Sequence, residues 1–145
     1  MRLFDTSVLL SLVMTDAHTS AAMDAVRQDG GRIHASEFAL LEAKSALAKE
    51  IRVGHLESTA ALSVWAMLEQ LAAGGGLILH PLTSEQLRDA ISLIHIEPGR
   101  VSSLRAGDAL HISAARSFGV EALVTADRQQ SNAAREAGLS VVLLP

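Results

Sequence analysis

Four acidic residues stand where their type and setting allow chemistry: Asp5, Glu42, Asp108 and Asp127. Asp5 lies in Leu3-Phe4-Asp5-Thr6-Ser7-Val8, where a short apolar run ends and two hydroxyl residues open a helical pattern. Asp127 lies in Ala122-Leu123-Val124-Thr125-Ala126-Asp127-Arg128, again just beyond an apolar run. Taken singly, each reads as a helix N-cap, because a carboxylate there accepts hydrogen bonds from the unpaired amides of the first turn. Glu42 shares a helical face with Phe38, Ser45 and Lys49, and by itself reads as an exposed residue at the edge of an apolar stripe. Asp108 has Leu104, Arg105, His111 and Ile112 as helical neighbours. A carboxylate between Leu104 and Ile112 faces partial burial, so it needs a partner or a metal, and Arg105 is one available partner.

Considered together, the four suggest more. Clustered carboxylates repel one another unless cations offset them. An all-oxygen set suits Mg²⁺ or Mn²⁺, whereas zinc would call for Cys or His ligands. Two hard cations held this way position water and stabilise a leaving oxygen on phosphate. The spacing therefore points to a metal-assisted phosphodiesterase. His111, three residues after Asp108, is expected to support the core or the site rather than to bind a hard cation. His18, His34, His55, His80 and His95 form no recognisable ligand spacing. Arg105 and Arg128 are candidates for substrate phosphates, the alternative being ion pairs with Asp108 and Asp127. Trp65 can stack a base, but on a helical stripe it reads more simply as packing, in a dimer interface for instance.

Composition sets the frame for these residues. The 145-residue chain is long enough for one domain, 1–145, with a buried core. Hydrophobic residues make up 49% against 19% charged, the reverse of a disordered chain. With no cysteine, disulfides, thiolate metal sites and a cysteine nucleophile are excluded, and a reducing cytoplasm fits. The formal charge of -4 argues against a protein that coats nucleic acid by charge alone, but not against a nuclease with cations in its site. The apolar stretch Leu3 to Met14 after Arg2 has the look of a signal peptide, but Asp5 interrupts it, so a cytoplasmic protein is expected. No run reaches membrane-spanning length.

The elements that must position the acids follow from periodicity. Strands are expected at Met1–Phe4, Arg32–Ala35, Leu77–Leu79, Ala122–Val124 and Val141–Leu143. Helices are expected over Ser36–Val53 (stripe Phe38, Leu41, Leu47, Ile51), Leu56–Ala73 (stripe Ala60, Val64, Met67, Leu68, Leu71), Thr83–Ile96 and Leu104–Phe118. Thr83 and Gln86 form a capping-box signature, Gly74-Gly75-Gly76 reads as a helix stop, and Gly119 as another. Strands alternating with helices imply an α/β fold with a mostly parallel sheet of about five strands, covered on both faces. In such sheets ligands bind beyond the carboxyl ends of the strands, which is where Asp5 and Asp127 fall.

Four segments, Asp5-Thr6-Ser7, Glu42 in its Ser36-initiated helix, Arg105-Ala106-Gly107-Asp108-Ala109-Leu110-His111 and Thr125-Ala126-Asp127-Arg128, resemble the PIN-domain ribonucleases, and more narrowly the VapC toxins of toxin–antitoxin pairs. The resemblance covers essentially the whole chain. It implies a three-layer α/β/α fold and a Mg²⁺- or Mn²⁺-dependent endoribonuclease that cleaves tRNA or rRNA. It also implies an acidic pocket of Asp5, Glu42, Asp108 and Asp127 supported by Ser7 and Thr125, a homodimer, and silencing by a VapB-like antitoxin. Gly107 departs from good helix formers and marks a place where another backbone can approach closely. Three other readings stay open: a binding module that keeps only the fold, a metal-dependent DNase, and a phosphatase with Asp5 as nucleophile. The last is weakened by Ser7, which stands where such enzymes carry a second Asp.

Overall fold

Short apolar runs become strands and periodic segments become helices in the computed structural model, which describes residues 1–145 apart from the Arg100 side chain. In chain order the elements are β1 (Arg2–Phe4), α1 (Thr6–Met14), α2 (Thr19–Gln28), β2 (Ile33–Ser36), α3 (Glu37–Arg52), α4 (Ser58–Ala73), β3 (Leu77–His80), α5 (Ser84–Leu93), β4 (Ile96–Glu97), β5 (Arg100–Val101), α6 (Ala106–Ser117), β6 (Ala122–Thr125), α7 (Arg128–Glu136) and β7 (Val141–Leu143). All five expected strands are present. β6 pairs in parallel with both β1 and β7, and β2 pairs in parallel with β3. β1 lies beside β2 without a hydrogen-bonded ladder between them. Instead the Arg2 amide on β1 donates to Asp29 Oδ2 at 3.0 Å. The spatial order is thus β3-β2-β1-β6-β7, and the chain reverses its direction of winding between β1 and β6. Ligands of open α/β sheets bind at such a switch point.

The period of two along a strand divides the core. Phe4 and Val124 face a cluster with Val8, Leu9, Ala39, Ala43, Leu47 and Leu68, from α1, α3 and α4. Leu3 and Leu123 face the other way, onto Ile112, Ala115 and Ala134 of α6 and α7. This is the three-layer α/β/α arrangement. The segment Leu3 to Met14 that looks like a signal peptide is β1 and α1, at the centre of the molecule.

Two helical stripes differ from expectation. α3 buries Ala39, Ala43 and Leu47, whereas Leu41 is 68% exposed and Ile51 is also at the surface. The small Ala39 and Ala43 let α3 lie close to α1, with Leu47 and Leu40 packed on the core and Leu41 and Ile51 turned outward. α4 buries Ala61, Val64 and Leu68, with Ala60 and Met67 exposed. α5 stops at Leu93 instead of reaching Ile96, because Pro98-Gly99 closes a β4–β5 hairpin. Gly99 has φ +78°, as the third position of a Pro-Gly turn requires. The Thr83 capping box does form: the Gln86 amide donates to Thr83 Oγ1 at 3.2 Å and the Thr83 amide to Gln86 Oε1 at 3.0 Å. Among the described residues no helix is long and apolar enough to cross a membrane.

Asp16 organises the turn between α1 and α2. Its carboxylate accepts from Ser11 Oγ at 2.7 Å, the His18 amide at 2.8 Å and Thr19 Oγ1 at 3.3 Å. Burial pushes the Asp16 carboxyl up, but these donors outweigh it and hold the group below its usual value. Its contribution to stability is therefore complete above the unfolded value of about 3.9 and is lost as pH falls through the lower folded value. Asp16→Ala is expected to lower stability at neutral pH by about 1 kcal/mol. Urea denaturation should show that deficit shrinking below pH of about 4; a deficit that stays constant with pH would refute this account.

Candidate active site

β1 ends at Phe4, and the next residue, Asp5, is buried at 3% exposure. Its amide continues the pairing to β6 by donating to the Val124 carbonyl at 3.1 Å. Its side chain caps α1: Oδ1 accepts from the Val8 amide at 3.0 Å and from Ser7 Oγ at 2.7 Å. Oδ2 takes part in none of the described hydrogen bonds. Asp127 repeats the pattern at the end of β6. Its Oδ1 caps α7 by accepting from the Gln129 and Gln130 amides at 2.7 and 3.0 Å, while Oδ2 points to another partner. Each aspartate is a cap through one oxygen, and the second oxygen lies outside the cap.

Two hydroxyls brace these strand ends. Ser7 Oγ donates to Asp5 and accepts from the Ala126 amide at 3.1 Å, so it ties the start of α1 to the loop after β6. Buried Thr125 donates to Gln130 Oε1 at 2.7 Å and accepts from the Asp127 amide at 2.9 Å. Thr125 thus orients the Asp127 backbone.

The third acid, Asp108, sits in the first turn of α6 at 7% exposure. Arg105 holds it with Nε on Oδ2 at 2.9 Å and one terminal nitrogen on Oδ1 at 3.3 Å. The same terminal nitrogen reaches Asp127 Oδ2 at 2.7 Å. One guanidinium therefore lies between two carboxylates, and Asp108 beside it raises the Arg105 pKa above its already high ordinary value. Arg128, by contrast, is exposed at the start of α7, and none of the described ion pairs includes it. The alternative in which Arg128 pairs with Asp127 is not what the structure shows.

Glu42 comes from the middle of α3. Its Oε2 accepts from His111 Nε2 at 2.9 Å, and the buried His111 ring also lies 3.2 Å from Thr6 Oγ1. A carboxylate only accepts, so Nε2 carries the proton, which leaves the buried Nδ1 without a partner. His111 is thus a buried residue that holds the Glu42 side chain. Its hydrogen bond, against the opposing effect of burial, holds the Glu42 carboxyl below the usual range. Gly107 explains how α3 and α6 come together here. A Cβ on Gly107 would stand 2.5 Å from Glu42 Oε1. The close neighbour is a carboxylate side chain, and not the backbone anticipated from the sequence.

The four acids thus converge on one end of the sheet in linked sets: Asp108 and Asp127 through Arg105, Glu42 through His111, and Asp5 through Ser7 and the β6 loop. As placed, no three carboxylate or imidazole groups among the described residues close up around an ion position. The donor set nevertheless fits a hard divalent cation. Every acid offers oxygen, and the protein already holds a positive group between two of them. Burial pushes the Asp5 carboxyl up, against the pull of His111, Thr125, Ser7 and the Val8 amide, and a nearby cation would reverse that penalty. Thr6 and Gln130 were not assigned roles from sequence, although Thr6 lies in the same Asp-Thr-Ser segment as Asp5. Trp65 lies on α4, where its Nε1 donates to Glu69 Oε1 at 2.7 Å and Lys44 Nζ sits 3.9 Å from the ring centre.

Comparison with known proteins agrees with this architecture. No curated protein matches the chain by sequence. Among solved structures, VapC20 of Mycobacterium tuberculosis, described as a sarcin-ricin loop cleaving toxin, is similar with a TM-score of 0.70 at 20% identity over 100% of both chains. FitAcB of Neisseria gonorrhoeae is similar with a TM-score of 0.67 at 18% identity, over 97% of this chain and 96% of that one. VapBC2 of Rickettsia felis, bound to a DNA fragment from its promoter, gives 0.64 at 13% identity over 99% and 98%. At these identities the likeness speaks for the fold. The PIN domain family matches residues 2–136, nearly the whole chain, and the chain belongs to that family.

Proposed function

We propose that this chain is a Mg²⁺- or Mn²⁺-dependent endoribonuclease of the VapC kind, the toxin of a type II toxin–antitoxin pair, acting on tRNA or rRNA in the cytoplasm. PIN and VapC proteins are nucleases, and the similar VapC20 is described as cleaving the sarcin-ricin loop. The observation that carries the reading is the placement of Asp5 and Asp127 at the switch point, each anchored on a helix through one oxygen, with Arg105 joining the second oxygen of Asp127 to Asp108. Asp5, Glu42, Asp108 and Asp127 would hold the ion. When bound, it supplies positive charge that offsets the carboxylates and stabilises a phosphate under attack by water. The chain's own part is positioning. Ser7 and Thr125 fix the strand-end loops, His111 aims Glu42, and Arg128 offers an exposed guanidinium for substrate phosphate. Arg105 is engaged by two acids, so it reaches phosphate only by leaving one of them.

A partner reading goes with this proposal. The likeness to VapBC2 and FitAcB supports a VapB-like antitoxin. Exposed Leu41, Leu62, Met67 and Ile91 offer apolar surface for that partner and for a second copy in a homodimer. Light scattering that shows a monomer across working concentrations would remove the homodimer.

A second reading has an observation in its favour. Arg105 paired with both Asp108 and Asp127 is also what a PIN-fold binding module without catalysis would show. Incubation of total RNA with the purified protein separates the two. Discrete fragments are expected with Mg²⁺ or Mn²⁺, none with chelator, and a loss of at least about a hundredfold in rate for Asp5→Asn and Asp108→Asn, both still folded by circular dichroism. Cleavage that survives in those variants would end the carboxylate reading, and none in the antitoxin-free wild type would favour the binding module.

Gly107→Ala gives a sharper test of Glu42. Alanine improves helix propensity by about 1 kcal/mol, while its methyl displaces the Glu42 carboxylate. The variant is expected to stay folded by circular dichroism, and cleavage to fall on the order of a hundredfold. Full activity in this variant would place Glu42 outside the chemistry.

A further inference from the structure

A pair of imidazole side chains meets outside the acidic site. His34 on β2 and His80 on β3 are far apart in sequence, so no spacing motif links them. The parallel register pairs His34 with Ile78 and Ser36 with His80. Residues two apart share a face of a strand, so both imidazoles stand on the same side of the β2–β3 pair, diagonally across it. The rings stack with centroids 5.3 Å apart and planes at 29°. His34 Nδ1 faces His80 Nε2 at 3.1 Å, and neither ring makes another described hydrogen bond. Both are half-buried, hence reachable from solvent. Phe118, at the end of α6, packs on His80 with centroids 4.7 Å apart and restricts its ring.

The geometry points to a second cation site, in which His34 and His80 ligate one borderline divalent transition ion such as Zn²⁺ or Ni²⁺. Two zinc–nitrogen bonds span about 2.9 Å at a right angle and about 3.3 Å at the tetrahedral angle. The observed 3.1 Å lies between them, so the nitrogens already stand at the separation of adjacent ligands. Imidazole suits Zn²⁺, Ni²⁺ and Cu²⁺, whereas Mg²⁺ and Mn²⁺ prefer oxygen, which makes this site chemically distinct from the carboxylates. The ligand form is neutral imidazole. Burial first, and His80 second, lower the His34 pKa, which favours that form. Among the surrounding charges Asp29 favours a cation, while the N-terminus and Arg32 oppose it. With two protein ligands, water completes the coordination, and affinity is lower than in a closed four-ligand site. A bound ion would staple β3 to β2 and steady Phe118 at the end of α6.

The test uses the intact chain in excess Mg²⁺, which does not compete for imidazole. Zn²⁺ added alone in an isothermal titration is expected to show a saturable site, and the melting temperature to rise with Zn²⁺ concentration. His34→Gln and His80→Gln should each remove both effects, and His55→Gln, at an exposed position, should keep them. Ring resonances of His34 and His80 in the wild type should shift together during the titration, a readout that does not depend on how the variants fold. Absence of saturable Zn²⁺ binding would overturn the proposal. So would binding that persists in both folded glutamine variants, or that vanishes in Asp108→Asn instead.

Discussion

Bringing carboxylates together against their mutual repulsion is the constraint on which the rest of this structure depends. The chain meets it with positive potential from its own backbone and side chains. Three of the four acids, Asp5, Asp108 and Asp127, stand at the first turns of α1, α6 and α7, where unpaired amides and the helix dipole favour negative charge. The fourth, Glu42, lies mid-helix without that help and depends on His111. Arg105 completes the balance between Asp108 and Asp127. Because these groups come from separate elements, the crossovers that bring three helix N-termini to one end of the sheet are part of the electrostatics.

A carboxylate has two oxygens, so the two readings that the sequence allows are compatible. Asp5 and Asp127 read as caps or as site residues. The structure shows that the cap uses Oδ1 alone, which fixes the side chain; Oδ2 of Asp5 is in none of the described hydrogen bonds, and Oδ2 of Asp127 takes Arg105. Capping then does for the site what packing does for the core: it removes rotamer freedom before a ligand arrives. Ser7 and Thr125 extend this rigidity across the switch point, since each joins a side chain to a backbone amide of the β6 loop.

Packing sets the remaining distances. Alternation along β1 and β6 sends Phe4 and Val124 to one core and Leu3 and Leu123 to the other, so helices on both faces are anchored by the same strands. α3 approaches through alanines, and Gly107 lets α6 meet the Glu42 carboxylate without an intervening methyl. A residue that weakens helix propensity is placed where its missing side chain is needed.

The sequence by itself determined the layered α/β architecture, the five strands, the Thr83 capping box and the strand-end positions of Asp5 and Asp127, because each rests on local periodicity or local hydrogen bonding. It placed Leu47, Val64 and Leu68 in the core, but it wrongly put Leu41 and Ile51 of α3 and Ala60 and Met67 of α4 there and ran α5 through Ile96, because which apolar face is buried depends on what packs there, and Pro98-Gly99 makes a hairpin only with both flanking strands in place. Tertiary structure alone decided that Arg105, the local partner of Asp108, also reaches Asp127, that Gly107 faces Glu42, and that His34 meets His80. Each of these contacts joins residues on different elements, and their separation is set by strand order and helix packing rather than by position along the chain.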